Sequence, residues 1–271
     1  MNNIRRKIMK RYFSVLMVEF KKSWLYRNAA FASIPLFFMR GLLSIAMLLA
    51  FSQINHSHPQ QLINYFWLIN LFYPIVSAWV VDYDLNTIIK SGNVAYEYIK
   101  PLNIYGSWFM RVIGQRLSQL CLSSFPILLV ICFLPTGFKM QLTISLSKGL
   151  LFLLTIILAL ILNVVLSLLV YVSVFYTYSV IGSLLVFGSI MEFTGGTVIP
   201  FSLFPIGLQH IFKLFPFWYG SAFPFQSLTG QLTFYQIIHG LLLQIIWIVV
   251  AAALGNLWLN HQLHRIEIQG G

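Results

Sequence analysis

The acid side chains of this chain are Glu19, Asp82, Asp84, Glu97, Glu192 and Glu267. Of these, Glu192 alone falls inside an apolar stretch. A carboxyl group there is costly to ionise, which makes it a candidate proton carrier or a buried hydrogen-bonding group facing protein. Asp82 and Asp84 resemble an acid pair, but at i,i+2 they do not share a helix face. At the end of an apolar run, they predict the start of a new helix. His56 and His58 precede Pro59 in a short loop, and two spaced histidines are too few to hold a metal. His261 and His264 follow the last apolar run and read as polar surface residues. There is no Gly-x-x-x-x-Gly-Lys-Ser/Thr, no His-Glu-x-x-His and no Cys-x-x-Cys. Cys121 and Cys132 lie about 16 Å apart along a helix, beyond disulfide reach. The notable polar candidates within apolar stretches are Arg40, Asn163, Glu192, His239 and Gln244, scattered over four of them. No catalytic residue, metal or bound cofactor is therefore expected on this chain. A membrane-embedded enzyme acting on lipid-like substrates needs such groups to converge. A proton-driven secondary transporter rests on Glu192 alone. Arg40 is expected to find a partner within the first apolar stretch or to mark its mouth, since an arginine at a helix centre costs about 2.5–3.5 kcal/mol on the insertion scale.

The elements that carry these residues follow from composition. In 271 residues, 59% are hydrophobic and 8% charged, against about 25% charged in soluble domains. The mean hydropathy is +0.82. So few charges cannot cover a soluble surface, which excludes a soluble enzyme, a disordered chain and a disulfide scaffold. Six stretches approach the roughly 20 apolar residues that cross a bilayer as a helix: 30–54, 62–81, 117–134, 148–170, 180–199 and 236–258. The basic segment before the first is too long for a signal peptide, and five more apolar runs follow, so an uncleaved anchor is expected. Pro35 and Pro126 lie inside two of the stretches and are tolerable in a packed bundle.

The formal net charge is +11. Arg5, Arg6, Lys7, Lys10, Arg11, Lys21, Lys22 and Arg27 precede the first stretch. Lys90, Lys100, Arg111, Arg116 and Arg265 fall on the same side in a six-span topology, whereas Lys139, Lys148 and Lys213 fall on the other. The positive-inside bias then puts both termini in the cytoplasm. The basic cluster reads as an anchor on anionic lipid and not as a nucleic-acid surface. Residues 1–29 are read as a cytoplasmic segment with an interfacial helix. Residues 30–199 hold spans one to five, 200–235 an outer aromatic segment, 236–258 span six and 259–271 a cytoplasmic tail. Four prolines between 200 and 224 forbid one long helix. Short helices dipping into the outer leaflet and covered by protein fit that segment, with Trp218 and Tyr219 suited to an interfacial belt.

The cytoplasmic loop 82–116 combines an amphipathic stretch, a break at Gly92 and a second stretch with Tyr96, Tyr98 and Ile99 before Pro101. An exposed apolar-aromatic helix on that face docks either in a partner's groove or on lipid.

The chain resembles permease subunits of type-2 ABC transporters, in the viologen-exporter-like branch. The resemblance rests on Ser91-Gly92 followed by Ile99-Lys100-Pro101-Leu102, on Gly195-Gly196 through Pro200 and Pro205 to Leu214-Phe215-Pro216-Phe217, and on Arg265-x-Glu267-x-x-Gly270-Gly271. Ile266, Ile268 and Gln269 stand where the family often has tyrosines. The order of these matches along six apolar stretches covers essentially the whole chain. It implies an all-α polytopic fold with six transmembrane helices, an N-terminal interfacial helix and outer re-entrant hairpin helices. It also implies residence in the inner (plasma) membrane, a second permease, identical or related, and export driven by separate ATPase subunits, with ATP and Mg on those subunits. In that scheme Ile88, Ile89, Lys90, Gly92, Val94, Tyr96, Tyr98, Lys100 and Pro101 would couple to the ATPase. Ile88, Ile89, Val94, Tyr96 and Tyr98 would supply apolar contact, and Lys90 and Lys100 a basic rim.

Overall fold

A computed structural model of the chain describes residues 2–25, 27–55, 59–99, 101–133, 137–142 and 144–264. Lys100, His56, His58 and the tail motif from Arg265 onward lie outside the described residues. Among the described residues the regular structure is helical, without strands.

Helix α1 (Asn2–Leu25) carries the basic N-terminal sequence, and α2 (Arg27–Asn55) the first apolar run. The second apolar run, 62–81, does not form one helix. It divides into α3 (Pro59–Leu71) and a single turn, α4 (Tyr73–Val76), followed by six non-helical residues. Pro74 has no N–H for the Asn70 carbonyl, so the helix loses a rung there and does not recover. Helix α5 (Tyr83–Lys90) follows, then a 3-10 helix over Asn93–Ile99. Gly92 joins them at φ 72°, a left-handed conformation that favours glycine.

Helix α6 (Ile104–Phe133) begins thirteen residues before the third apolar run, because its first half packs against α1 and not in a uniformly apolar layer. The approach is close at Gly114, where a Cβ would meet the Leu16 carbonyl oxygen at 2.5 Å. Gly106 similarly faces the Tyr12 ring. Helix α7 (Leu146–Thr177) is the central element. Ser145 caps it, and Ala159, Leu162, Val164, Leu168 and Val172 along it are fully enclosed. Helix α8 (Val180–Gly195) follows after Ser179, whose hydroxyl accepts the Gly182 N–H.

The proline-rich segment forms a 3-10 turn (Phe201–Leu203), α9 (Ile206–Phe212), α10 (Pro216–Gly220) and α11 (Ala222–Leu228). Prolines stand at or just before three of these starts, where a missing N–H costs nothing. Phe201, Phe204, Phe212, Trp218, Tyr219 and Phe223 pack edge to face or tilted, with centroids 4.9–6.5 Å apart. Trp218 and Tyr219, expected at a lipid interface, are instead buried inside this cluster. Helix α12 (Phe234–Leu263) closes the fold behind a capping box of Thr233 and Gln236.

By length and composition α7 and α12 are apolar enough to cross a membrane, and α8 is apolar but shorter. A second core layer joins α2, α3 and α6 through Ile45, Phe66, Trp67, Leu71, Ile127 and Ile131. The starts of α3 and α12 and the short helices α9–α11 meet at one end of the bundle. At the other end lie α5, the start of α6 and the last turns of α7 and α12, where Tyr105 approaches Gly255 and Tyr171 approaches Asp82.

Candidate functional site

The exposed α5 segment is fastened to the bundle through Asp82. Its Oδ1 accepts the N–H groups of Asp84 (3.1 Å) and Leu85 (3.0 Å), which caps α5 as the sequence anticipates. The same carboxylate takes two donors from Arg111 of α6: Nη2 reaches Oδ1 at 3.0 Å and Nε closes on Oδ2. A bidentate guanidinium–carboxylate pair fixes orientation as well as distance. The Asp82 N–H donates to the Tyr171 hydroxyl of α7 at 2.5 Å, and Gln115 Nε2 to the Val81 carbonyl at 2.9 Å. Glu19 and Lys22 of α1 complete the node: Glu19 lies 3.6 Å from Arg111, and Lys22 donates to Asp84. Burial pulls the Arg111 guanidinium downward. Its hydrogen bond to Asp82 and the charges of Asp82, Glu19 and Asp84 outweigh that, so the net shift is upward. The hydrogen bond from Lys22 holds the Asp84 carboxyl below the usual range.

Leu85, Ile89 and Val94 turn inward, each 5% exposed or less. Ile89 and Val94 therefore hold the segment to its own bundle and leave little for a partner. Ile88 is half-buried. The outward face consists of Tyr83, Thr87, Lys90, Ser91, Gly92 and Tyr96, with Pro101 beyond it. Tyr83, 64% exposed, belongs to this face by helical register although the sequence reading did not single it out. Tyr98 is part of the 3-10 helix, but its side chain lies outside the described residues.

Arg40 and Glu192, from two different apolar helices, both contact Tyr73. Arg40 of α2 places its guanidinium 5.1 Å from the ring centroid of Tyr73, within cation–π range. The Tyr73 hydroxyl donates to Glu192 Oε1 of α8 at 3.3 Å, and Ser77 does the same at 3.3 Å. Glu192 is buried and faces protein.

Several other interior polar groups serve broken backbone. Arg116 is fully buried, and its Nη1 donates to the carbonyls of Pro74 (2.9 Å), Ile75 (3.0 Å) and Ser77 (3.0 Å), while Nη2 reaches Ser167 Oγ at 2.8 Å. Asn163 donates to Ile75 O and Gly220 O, and Gln244 to Thr155 O and Tyr219 O. Ser221 donates to Gly195 O at 2.7 Å. Apart from the bond to Thr155 O, inside α7, these bonds satisfy carbonyls freed where α4, α8 and α10 end, a requirement wherever non-helical backbone lies in an apolar setting. Among the described residues no group of three or more His, Cys, Asp or Glu could hold a metal. His239 is exposed on α12, whereas Asn163, Glu192 and Gln244 are buried.

No family model, no curated protein and no solved structure matches the chain.

An amphipathic helix with an aromatic outward face sits on a charged platform joining α1, α6 and α7. Asp82 ties α5 to α6 and α7, and Arg111 and Asp84 extend the node to α1.

Proposed function

We propose that the chain is the transmembrane permease subunit of an ATP-driven exporter, forming a path with a second permease and driven by separate ATPase subunits that dock on α5 and the 3-10 helix. Tyr83 and Tyr96 enter a groove of the ATPase, and Lys90 supplies a basic rim. The observation that carries this reading is the fastening of that exposed segment by Asp82 to Arg111 and Tyr171. A helix tied to three others transmits a push, whereas a free loop absorbs it.

Further support comes from surfaces. The exposed side of α12 presents Leu242, Ile245, Val249, Leu254 and Leu257, an apolar stripe suited to lipid or a second permease and not to water. Helices α2, α3–α4, α6, α7, α8 and α12 serve as the six spans of an inner-membrane protein with both termini in the cytoplasm. The basic α1 and the α5 segment lie at the cytoplasmic end, and α9–α11 form the outer hairpin. The polar residues that a membrane enzyme would use, Asn163 and Gln244, spend their amide hydrogens on carbonyls.

Purification of the tagged full chain from its native membrane, followed by assay for ATP hydrolysis, tests the proposal. Recovery of a P-loop ATPase in a fixed ratio to the chain, with hydrolysis lost on its removal, is expected. A monodisperse chain recovered alone even after cross-linking in the membrane contradicts it.

A further inference from the structure

At the end of the bundle opposite the Asp82 node, a half-open cavity of about 500 Å³ lies between α3, α9, α11 and the start of α12. That volume suits a small molecule or a headgroup. Leu62, Leu203 and Leu232 form apolar parts of the lining. The polar parts include Gln61, Gln209, Gln226, Gln231 and Gln236, and one charged group, Lys213.

Lys213 sits with its ammonium 5.1 Å from the Trp218 ring centroid and 5.7 Å from that of Phe201. No carboxylate lies within 4.0 Å of it among the described residues, and no carboxylate lines the cavity. Partial burial lowers its pKa, the mark of a cation short of counter-charge. Two of the amides are oriented by one donor. Trp218 Nε1 can only donate, and it donates to Gln226 Oε1 at 3.1 Å. That turns the Gln226 amino group toward Gln231 Oε1, also at 3.1 Å. The Gln231 amino group is thus left as the free end of the chain. Gln236 likewise spends its oxygen on the Thr233 N–H, which leaves its amino group to donate. The cavity therefore offers N–H donors and a lysine on an aromatic floor, with an apolar rim.

We propose that this cavity binds the anionic headgroup of an amphipathic molecule, a phosphate or carboxylate held by Lys213 and the amino groups of Gln231 and Gln236, with the attached chain along Leu62, Leu203 and Leu232. The proposal rests on the cavity itself and stands whether or not the chain is an export permease.

Binding of dodecyl phosphate to the purified full chain in nonionic detergent tests it, followed by thermal shift and with dodecanol as the uncharged control. Saturable stabilisation by dodecyl phosphate and not by dodecanol is expected. Lys213→Gln and Gln231→Leu should each weaken it about tenfold or more, as for a lost hydrogen bond to a charged group, and Lys213→Arg should restore it. Competition by inorganic phosphate assigns the site to free anions as well. Its failure to compete assigns the site to membrane-type headgroups. Equal binding of dodecyl phosphate to wild type and a folded Lys213→Gln variant overturns the proposal. So does dodecanol binding as tightly as dodecyl phosphate to the wild-type chain, a comparison that needs no variant.

Discussion

Arg111 and Asp82, 29 residues apart in sequence, share two charge-assisted hydrogen bonds through a carboxylate that also caps α5. One side chain thus sets where the exposed segment begins and ties it to α6. The Asp82 side chain is 6% exposed and that of Arg111 15%, so solvent screens the pair little. Removing Asp82 leaves Arg111 with only its 3.6 Å approaches to Glu19 and Asp84, and removing Arg111 takes from the buried Asp82 carboxylate both of its charged donors.

Asp82→Ala should therefore destabilise the chain by about 3–5 kcal/mol, read as a lower midpoint of thermal unfolding in detergent. Asp82→Asn separates the two roles, because asparagine caps a helix as well as aspartate does. It should keep α5 ordered in hydrogen exchange while losing most of the same stability. Full stability in both variants contradicts the assignment.

The Lys22–Asp84 contact predicts a pH effect with a definite sign. The Asp84 carboxyl is lowered in the folded chain. Its contribution is present above the unfolded value, about 3.9, and is lost as pH falls through the lower folded value. Lys22 is raised, because the Asp84 hydrogen bond and the Glu19 charge outweigh the downward pull of its burial. Its contribution is lost only as pH rises through that raised value. Between pH 5 and 8 the contact should be constant. Below about pH 4 the end of α1 should exchange amide hydrogens faster, and Lys22→Met should weaken that dependence, leaving the smaller part due to Arg111. The pair is exposed, so the effect is about 0–1 kcal/mol.

Arg116→Met strips a donor from the carbonyls of Pro74 and Ser77 at once, while Ile75 keeps the one from Asn163. Each buried carbonyl left without a partner costs about 1–3 kcal/mol. Arg116→Lys should recover part of the loss, since an ammonium supplies donors without the planar fork. Comparison of thermal midpoints for the two variants checks this. Equal midpoints for wild type and Arg116→Met contradict the role.

Local features were legible in the sequence, and convergent ones were not. Asp82 as a helix start, the break at Gly92 and the proline-punctuated short helices each follow from neighbouring residues. The division of 62–81 was signalled by Pro74, but the apolar count outweighed one proline. Arg116 gave no signal of burial. Its place just before an apolar run reads as a cytoplasmic charge, and its partners are carbonyls, which every sequence contains. Arg40 and Glu192 looked scattered because Tyr73, the ring between them, carries no formal charge. Trp218 and Tyr219 suited an interface by type, and only the packing of α9–α11 encloses them. Ile89 and Val94 have the apolar character of docking residues, but register turns them inward.

Gly114→Ala should displace α1, because the added methyl meets a backbone oxygen that cannot rotate away. Overpacking of this kind costs about 1–3 kcal/mol. Limited proteolysis after α1 should quicken, while Gly207→Ala, at a position with open space, should leave it unchanged.

The central claim is that the outward face of α5 and the 3-10 helix docks an ATPase subunit. Recovery of that ATPase with the tagged chain in detergent tests it most directly, comparing wild type with Tyr83→Ala and Tyr96→Ala alone and combined. Buried aromatics at an interface centre contribute about 2 kcal/mol or more, so the combined variant should lose recovery at least about tenfold while its thermal midpoint stays near that of wild type. Equal recovery of the ATPase by wild type and the combined variant contradicts the claim.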